Sequence, residues 1–406
     1  MNSTDFVLVI LKKLVEQKRP RDKQQKREKN MKSIVKSIAI GVATVLGSAQ
    51  VLAMDVKVGV IQGLSGPPAI VDFGESYLQG IRMALKEYKA AGGAVDVELI
   101  VYDDEANPQR AVSYAQRLIQ SDNVSAVMGT VSSGNVMAFA PILQRAGIPL
   151  IAGPSIATGI TAEFIDEDPS YIFRCSMVEK FQIDKMLDWG IENFDKIGLL
   201  HSTTGYGSFA ADEIQKGMKE RGEELVEIQA AAPGINDLTP QMIRLRDAGA
   251  GLVLNFHESF ELPYRALPRI DYKPTFAGNW GLSSQKVIDI VGQDAIEGTV
   301  MGQALDLSDP EAAAFDERMR AEFGDAYRWP VLAALGYDSG RIMFQAIENA
   351  GSDDPEAIRD AIESIQDVEA VSSTPAEPFS ADDHECLDAE HVFLGVWRDG
   401  RVVRLE

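Results

Sequence analysis

From residue 56 to residue 291, short β-rich runs alternate with amphipathic helical patterns, and the alternation comes in two successive sets. In the first set, runs at 56–61, 97–102, 124–128 and 148–152 are separated by helical patterns at 77–90, 108–119 and 135–145. Tyr77, Ile81, Ala84, Leu85 and Tyr88 recur at helical spacing before Gly92-Gly93 closes the pattern. In the second set, a helix at 181–194 precedes runs at 196–200, 224–229, 251–255 and 274–277, with helices at 208–221, 239–248 and 283–291. Strands separated by helices of roughly 10–15 residues need crossover connections, and so a parallel sheet. Two such sets predict an α/β fold of two similar lobes, each a mostly parallel sheet flanked by helices. The remainder reads as helix at 311–323, 330–349 and 355–365, then turn-rich at 372–383, with final β-like runs at 392–397 and 402–405.

Ahead of the first strand stands an export signal. Met31-Lys32-Ser33-Ile34-Val35-Lys36 is a positive n-region, 38–46 a short apolar run, and Val51-Leu52-Ala53 a small-residue cleavage site. The apolar run is too short to span a bilayer. No other stretch approaches the ~18 uninterrupted apolar residues of a membrane span. Cleavage near Ala53 is expected to leave a periplasmic protein with no membrane anchor. The basic block from Lys18 to Lys29 reads as an extended n-region or as sequence ahead of a true start at Met31, and the second is preferred.

Residues 1–53 hold 11 Lys and Arg against 4 Asp and Glu, so of the net −22 on the chain the remaining 353 residues carry −29. A field that acidic excludes nucleic acid and anionic membrane as partners through overall charge. An apolar share of 45% over this length suits two domains, each with a core. Neither Cys175 nor Cys386 follows the signal as a lipid-attachment cysteine would. Export permits a disulfide between them; a bridge and two isolated buried thiols both remain open at this point.

In open parallel sheets, ligands bind beyond the carboxyl ends of the strands, where loops enter helix N-termini. Two loops at such places combine glycines with hydroxyls: Gly129-Thr130-Val131-Ser132-Ser133-Gly134-Asn135 and Gly153-Pro154-Ser155-Ile156-Ala157-Thr158-Gly159. Free amides and the positive end of a helix dipole suit a carboxylate there. The competing reading is that the hydroxyls only cap helices. Two such loops in one sheet favour a site. With no G-x-G-x-x-G and no P-loop lysine, no nucleotide and no other cofactor is expected.

Val58-Gly59-Val60-Ile61-Gln62-Gly63-Leu64-Ser65-Gly66-Pro67, then Phe73-Gly74, Gly80, Tyr102-Asp103-Asp104 and Asn107-Pro108, together resemble periplasmic solute-binding proteins of the leucine/isoleucine/valine-binding family. The resemblance runs over nearly all of the chain after residue 53. It implies a type I periplasmic-binding fold whose lobes, joined by three hinge crossings, close on a small solute. It also implies a monomer that hands the solute to the permease and ATPase of an ABC importer. Crossings are expected near 173–176, 300–304 and 372–379. Lobe one is then 54–173 plus 304–373, and lobe two 174–303 plus 374–406. The family's carboxylate-binding loops match Ser132, Ser133, Ser155, Ala157 and Thr158. Its aromatic contact from lobe two matches Tyr206 in Thr204-Gly205-Tyr206-Gly207, and Phe73 falls where an aromatic flanks the ligand from lobe one. Ordinary core packing is the other reading of both aromatics.

One position departs from the family pattern. Amino-acid binders of this kind resemble one another in placing an acid after the strand equivalent to 274–277, where it holds the ligand's ammonium. Here Phe276-Ala277-Gly278-Asn279-Trp280-Gly281 puts Trp280 at that place. A buried ammonium without a carboxylate is costly, whereas Trp offers a π-face and one donor. An amine-free aromatic or aliphatic acid therefore stands beside a branched-chain amino acid as the expected solute. In Asn255-Phe256-His257-Glu258, Glu258 could restore the missing charge, or His257 donate a hydrogen bond.

Catalysis has little to rest on. The four histidines are His201, His257, His384 and His391, and neither G-x-S-x-G nor H-E-x-x-H occurs. Asp382-Asp383-His384-Glu385-Cys386 with His391 lacks a metal-ligand spacing and reads as a solvated acidic turn. Neither an enzyme nor a metal site is expected. The alternative function is a free sensor that passes its solute to a separate receptor.

Overall fold

The run Val58-Gly59-Val60-Ile61 becomes the buried end of β1 (Met54–Gln62) because a central parallel strand is covered on both faces. The computed structural model describes residues 54–66, 68–232 and 234–406; the expected signal segment and Pro67 lie outside the described residues. β1 pairs with β2 (Val95–Asp103) on one side and β3 (Ala126–Gly129) on the other, and β4 (Leu150–Ala152) and β5 (Ile172–Arg174) complete the first sheet. Its order is β2-β1-β3-β4-β5, all parallel. The second sheet repeats that order with β7 (Glu227–Ala231), β6 (Ile197–Ser202), β8 (Leu252–Phe256), β9 (Thr275–Gly278) and β10 (Val300–Gln303). Antiparallel β11 (Phe393–Arg398) and β12 (Arg401–Arg404) extend its edge. Strand order reverses between β1 and β3 and again between β6 and β8, the topological positions that open a ligand crevice at the carboxyl ends of the strands.

In the first lobe, α1 (Pro68–Ala90), α2 (Pro108–Arg117), α3 (Ser133–Ala146) and α4 (Gly159–Ala162) connect the strands. In the second, the connections are α5 (Glu179–Asn193), α6 (Gly205–Glu220), α7 (Thr239–Ala248), α8 (Leu262–Ile270), α9 (Gln285–Val291) and α10 (Gln293–Ile296). α11 (Pro310–Phe323), α12 (Pro330–Ala350) and α13 (Pro355–Glu363) follow β10. Helix ends are written locally: Asp309 accepts from the Glu311 and Ala312 amides, and Gly147, Gly249 and Gly351 stop their helices at positive φ.

α12 is buried along almost its whole length, from Val331 to Ile347, because it lies in the first lobe against α1. The two backbones touch. A Cβ at Gly80 would lie 2.0 Å from the Ala333 carbonyl oxygen, and one at Gly336 would lie 2.1 Å from that of Tyr77. Glycine at both places is what permits the crossing. The chain has therefore left the second sheet after β10 and returned to the first lobe.

The segment at and after the last expected crossing keeps close to the first lobe. Ser373 does run beside the second crossing, its amide donating to Ala304 O at 2.7 Å. The chain then doubles back along β5, where the Arg174 amide donates to His384 O and the Cys386 amide to Arg174 O, each at 2.9 Å. Cys175 and Cys386 form a disulfide with Cα atoms 4.9 Å apart. Residues 384–386, in the stretch expected in lobe two, are thus held against β5 before the chain leads on to β11.

The segment around His384 also differs from a solvated turn. His384 is buried, stacked on Phe173 with ring centroids 3.9 Å apart, its Nδ1 3.0 Å from Ile172 O. Glu385 receives the fully buried Arg174 guanidinium, Nε donating at 2.6 Å. One acid there, Glu385, is taken up by a buried cation, while Asp382 and Asp383 stay exposed as a solvated turn would have them. Among the described residues, no group of three or more His, Cys, Asp or Glu is arranged to hold a metal ion.

Candidate functional site

Two buried polar side chains at the strand ends build the crevice of the first lobe. Gln62, the last residue of β1, donates through Nε2 to Gly153 O at 2.9 Å and accepts through Oε1 from the Val131 amide at 3.0 Å. One side chain thus clamps both glycine-rich loops. Asp104, just past β2, accepts from Thr130 Oγ1 and Asn135 Nδ2, each at 2.8 Å. Gly129 turns the first loop at φ +120, and a Cβ there would lie 1.8 Å from Ile61 O. That position admits only glycine.

The predicted loop residues come together on this frame. Ser133 Oγ accepts from the Ile156 and Ala157 amides at 3.3 and 3.2 Å, which leaves its proton for another acceptor. The hydrogen bonds of α3 begin at the Asn135 and Val136 amides, both to Ser132 O, so those of Ser133 and Gly134 stand at the helix end. Neither Ser132 nor Thr158 caps its helix through its side chain. Ser155 Oγ and Thr158 Oγ1 are buried and have no partner among the described residues. Capping therefore does not account for these hydroxyls. Ala157 contributes backbone: its carbonyl accepts from the Arg174 guanidinium.

The second lobe meets this end with Tyr206, Glu258 and Trp280. Thr204 caps α6, accepting from the Gly207 amide at 3.2 Å, and its hydroxyl donates to Glu258 Oε1. Glu258 Oε2 is buried without a partner among the described residues. Tyr206 OH accepts from Asn279 Nδ2. Burial, then the negative charges of Glu179 and Glu258, hold that phenol well above its ordinary pKa.

Phe73, Trp280, Phe260 and Trp329 form an aromatic wall to which both lobes contribute. Phe73 stands edge-on to Trp280 with centroids 4.8 Å apart and lies 4.2 Å from Trp329. The indole of Trp329 donates to Ser283 Oγ at 3.1 Å, while that of Trp280 is buried without an acceptor among the described residues. Lys286 of α9 pairs with Asp72 of α1 at 2.8 Å, and α3 touches α6. The lobes are in contact at both places.

His257 is placed differently from its neighbours. It is fully buried, and its Nδ1 accepts from the Ser259 amide at 3.1 Å, which assigns the proton to Nε2. Burial lowers its pKa; Glu258 and the Ala232 backbone act in the opposite direction. A group of Ala232, beyond β7, is thus its neighbour, and its Nε2 is buried with no hydrogen-bond partner among the described residues.

Sequence reasoning missed Glu179. It opens α5, is 1% exposed, and its amide donates to Ile156 O at 2.8 Å, tying α5 to the second loop. Its Oε1 is buried with no partner among the described residues. Burial first, then Glu213, push its carboxyl up to about 8, with Arg174 partly opposing. An acid in the first turn of a helix is ordinary, so nothing in the sequence marked it. Gln182 accepts from the Trp280 amide at 3.2 Å, and its Nε2 is again unpartnered.

The raised carboxyl makes a prediction for the solute-free protein. Its folded pKa lies above its unfolded one, so its contribution to stability is full below about pH 4.5 and is lost as pH rises through about 8. Glu179→Gln should remove that loss, raising stability at pH 8.5 by on the order of 3 kcal/mol relative to pH 4. Denaturant titrations of both proteins at the two pH values check this; parallel pH slopes would show the carboxyl to be paired.

Comparison with known proteins agrees with this geometry. The family model described as periplasmic binding protein matches residues 55–400. The Leu/Ile/Val-binding protein homolog 7 of Brucella suis is 26% identical over 386 residues, covering 90% of this chain and 95% of the relative. A Rhodopseudomonas palustris ABC transporter solute-binding protein solved with 4-hydroxybenzoate superposes with a TM-score of 0.71 at 23% identity, covering 87% of this chain and 96% of that one. A branched-chain amino acid transporter substrate-binding protein from Streptococcus pneumoniae, solved with isoleucine, gives a TM-score of 0.70 at 19% identity, covering 86% and 100%. At these identities the two structures establish the type I periplasmic-binding fold. With the family model spanning both lobes, the chain belongs to the periplasmic binding proteins.

Proposed function

We propose that this protein is the periplasmic solute-binding subunit of an ABC importer, capturing a small carboxylate-bearing solute between its lobes and delivering it to an inner-membrane permease. Its family is one of solute binders, not enzymes. The observation that carries the reading is the set of buried polar atoms at the facing ends of the two sheets that have no partner among the described residues: Ser155 Oγ, Thr158 Oγ1, Glu179 Oε1, Gln182 Nε2, Glu258 Oε2 and Trp280 Nε1. Buried polar atoms in native proteins are nearly always paired, so this many in one place call for a polar ligand. The α3 N-terminus and the loop hydroxyls suit its carboxylate, and the aromatic wall suits an apolar body. Among relatives, both an amino acid and an aromatic acid occur as bound solutes.

In this reading the protein acts as a monomer. Lobe one is 54–174 plus 304–386, and lobe two is 175–303 plus 387–406, the last boundary following the chain's path along β5. Closure buries the solute, and its affinity reflects how strongly it favours the closed arrangement.

The test is calorimetric titration of protein unfolded and refolded to strip carried-over solute. A small apolar carboxylate should bind, and Ser133→Ala and Thr158→Val should each weaken binding by about 10–100-fold, the loss of one hydrogen bond to a charged group. Full affinity in both variants would remove the carboxylate from these loops.

A further inference from the structure

We propose that α9 is an electrostatic latch: Lys286 and Asp289 hold the two lobes together in the solute-free protein through a crossed pair of salt bridges, and so tune solute affinity as positioning residues. This goes beyond solute capture, because it concerns how far the lobes close before any solute is held.

The latch is built where β9 leads into α9 through Trp280-Gly281-Leu282-Ser283-Ser284. Ser284 accepts from the Lys286 amide at 3.2 Å and fixes where the helix starts. Lys286 and Asp289 then stand three positions apart, on one face of the helix. Lobe one meets that face with charges in complementary order. Asp72 of α1 accepts from the Lys286 ammonium at 2.8 Å, and Arg328, two residues ahead of α12, donates to Asp289 Oδ2 at 3.3 Å. Lys286 opposite Arg328, with Asp289 opposite Asp72, would set like charge against like. The crossed order therefore admits one docking register.

Inside these pairs the contact is apolar. Phe73, next to Asp72 in α1, packs edge-on against Trp280, which stands edge-on to Trp329 with centroids 6.1 Å apart. Trp329, next to Arg328, donates across the lobes to Ser283 Oγ at 3.1 Å. Both indoles are buried. Each of these contacts joins one protein side chain to another, so they favour the closed arrangement whatever the solute. Apparent affinity scales with the fraction of molecules in the binding-competent arrangement. The ion pairs lie at the rim: Asp72 and Lys286 are 19% and 36% exposed, Asp289 and Arg328 52% and 40%. At such exposure salt weakens them, whereas the aromatic contact is indifferent to it. Ionic strength is thus the handle that separates the latch from the rest of the interface.

The experiment uses protein unfolded and refolded to strip carried-over solute. Small-angle scattering reads the radius of gyration, and quenching by neutral acrylamide reads the exposure of Trp280 and Trp329, two of the four tryptophans. Both are measured at about 20 mM and about 500 mM sodium chloride, which leave exposed charges strongly and weakly coupled. Expected for the unaltered protein is a more compact, less quenched state at low salt. Lys286→Gln with Asp289→Asn should be expanded and quenched alike at both salt concentrations. Lys286→Asp alone should open the lobes, and adding Asp72→Lys should close them again, a rescue that a packing role would not give. Calorimetric titration with isoleucine and with 4-hydroxybenzoate follows: loss of either ion pair should weaken binding by about 2–5-fold. Binding of neither probe would count against the proposed solute class, while the scattering and quenching still decide the latch. Equal compactness and quenching of the unaltered and neutralised proteins at low salt would overturn it, as would failure of the reversed pair to restore closure.

Discussion

Replacing Cys175 and Cys386 together with alanine should lower the unfolding free energy by about 5 kcal/mol, the chain-entropy value for a loop closed over a separation of 211 residues. The bond joins the end of β5 to the segment that leads into β11, so it ties two of the three crossings where they pass between lobes. Without it the denatured chain gains the freedom of that whole loop. Guanidinium titrations of the variant, and of the native protein with and without reductant, measure the loss. A change below about 1 kcal/mol would mean that the Arg174–Glu385 contact already restrains these ends in the denatured ensemble.

Arg174→Met should be nearly as damaging, at about 3–5 kcal/mol, because it removes one partner of a buried ion pair and strands the other. Arg174 is completely buried, and its three nitrogens all have work: two on Glu385 and one on Ala157 O. Loss of the guanidinium therefore leaves Glu385 with the Thr161 hydroxyl alone and releases the loop that carries Ser155 and Thr158. Solute affinity should fall together with stability. Arg174→Met combined with Glu385→Leu should regain a large part of the stability, since the double variant buries no charge, but not the affinity, since Ala157 remains untethered. Denaturation and titration of both variants check the split; a double variant no more stable than the single one would point to packing rather than charge.

The alternation of strand and crossover helix in the two lobes could be read from the chain because most strands are β-rich runs and most crossover helices keep their period. The loops could be read because glycine and hydroxyls coincide where strands end. β5 is only three residues long, Ile172–Arg174, too short to show alternation. α8 escaped notice because Pro263 and Pro268 interrupt its pattern, although the first sits harmlessly in the opening turn. Glu179 and Glu385 both look like ordinary surface acids in sequence. What distinguishes them is the company they keep after folding, Ile156 for one and Arg174 for the other, and those contacts cross from one crossing segment or lobe to another. Tertiary burial of that sort leaves no local trace.

The crossing of α1 with α12 has a consequence for how the molecule is made. Tyr77 meets Ser339 across a separation of 262 residues, and the first sheet's β5 is completed by residues past 380. A nascent chain emerging from its amino end can form the strands of the first lobe early, yet their covering helix is still unsynthesised. Its apolar face then has nothing to pack against until most of the polypeptide is available. Contacts this distant in sequence make folding slow. The same architecture that sends the chain back and forth between lobes thus makes completion of the first lobe wait for nearly the whole polypeptide.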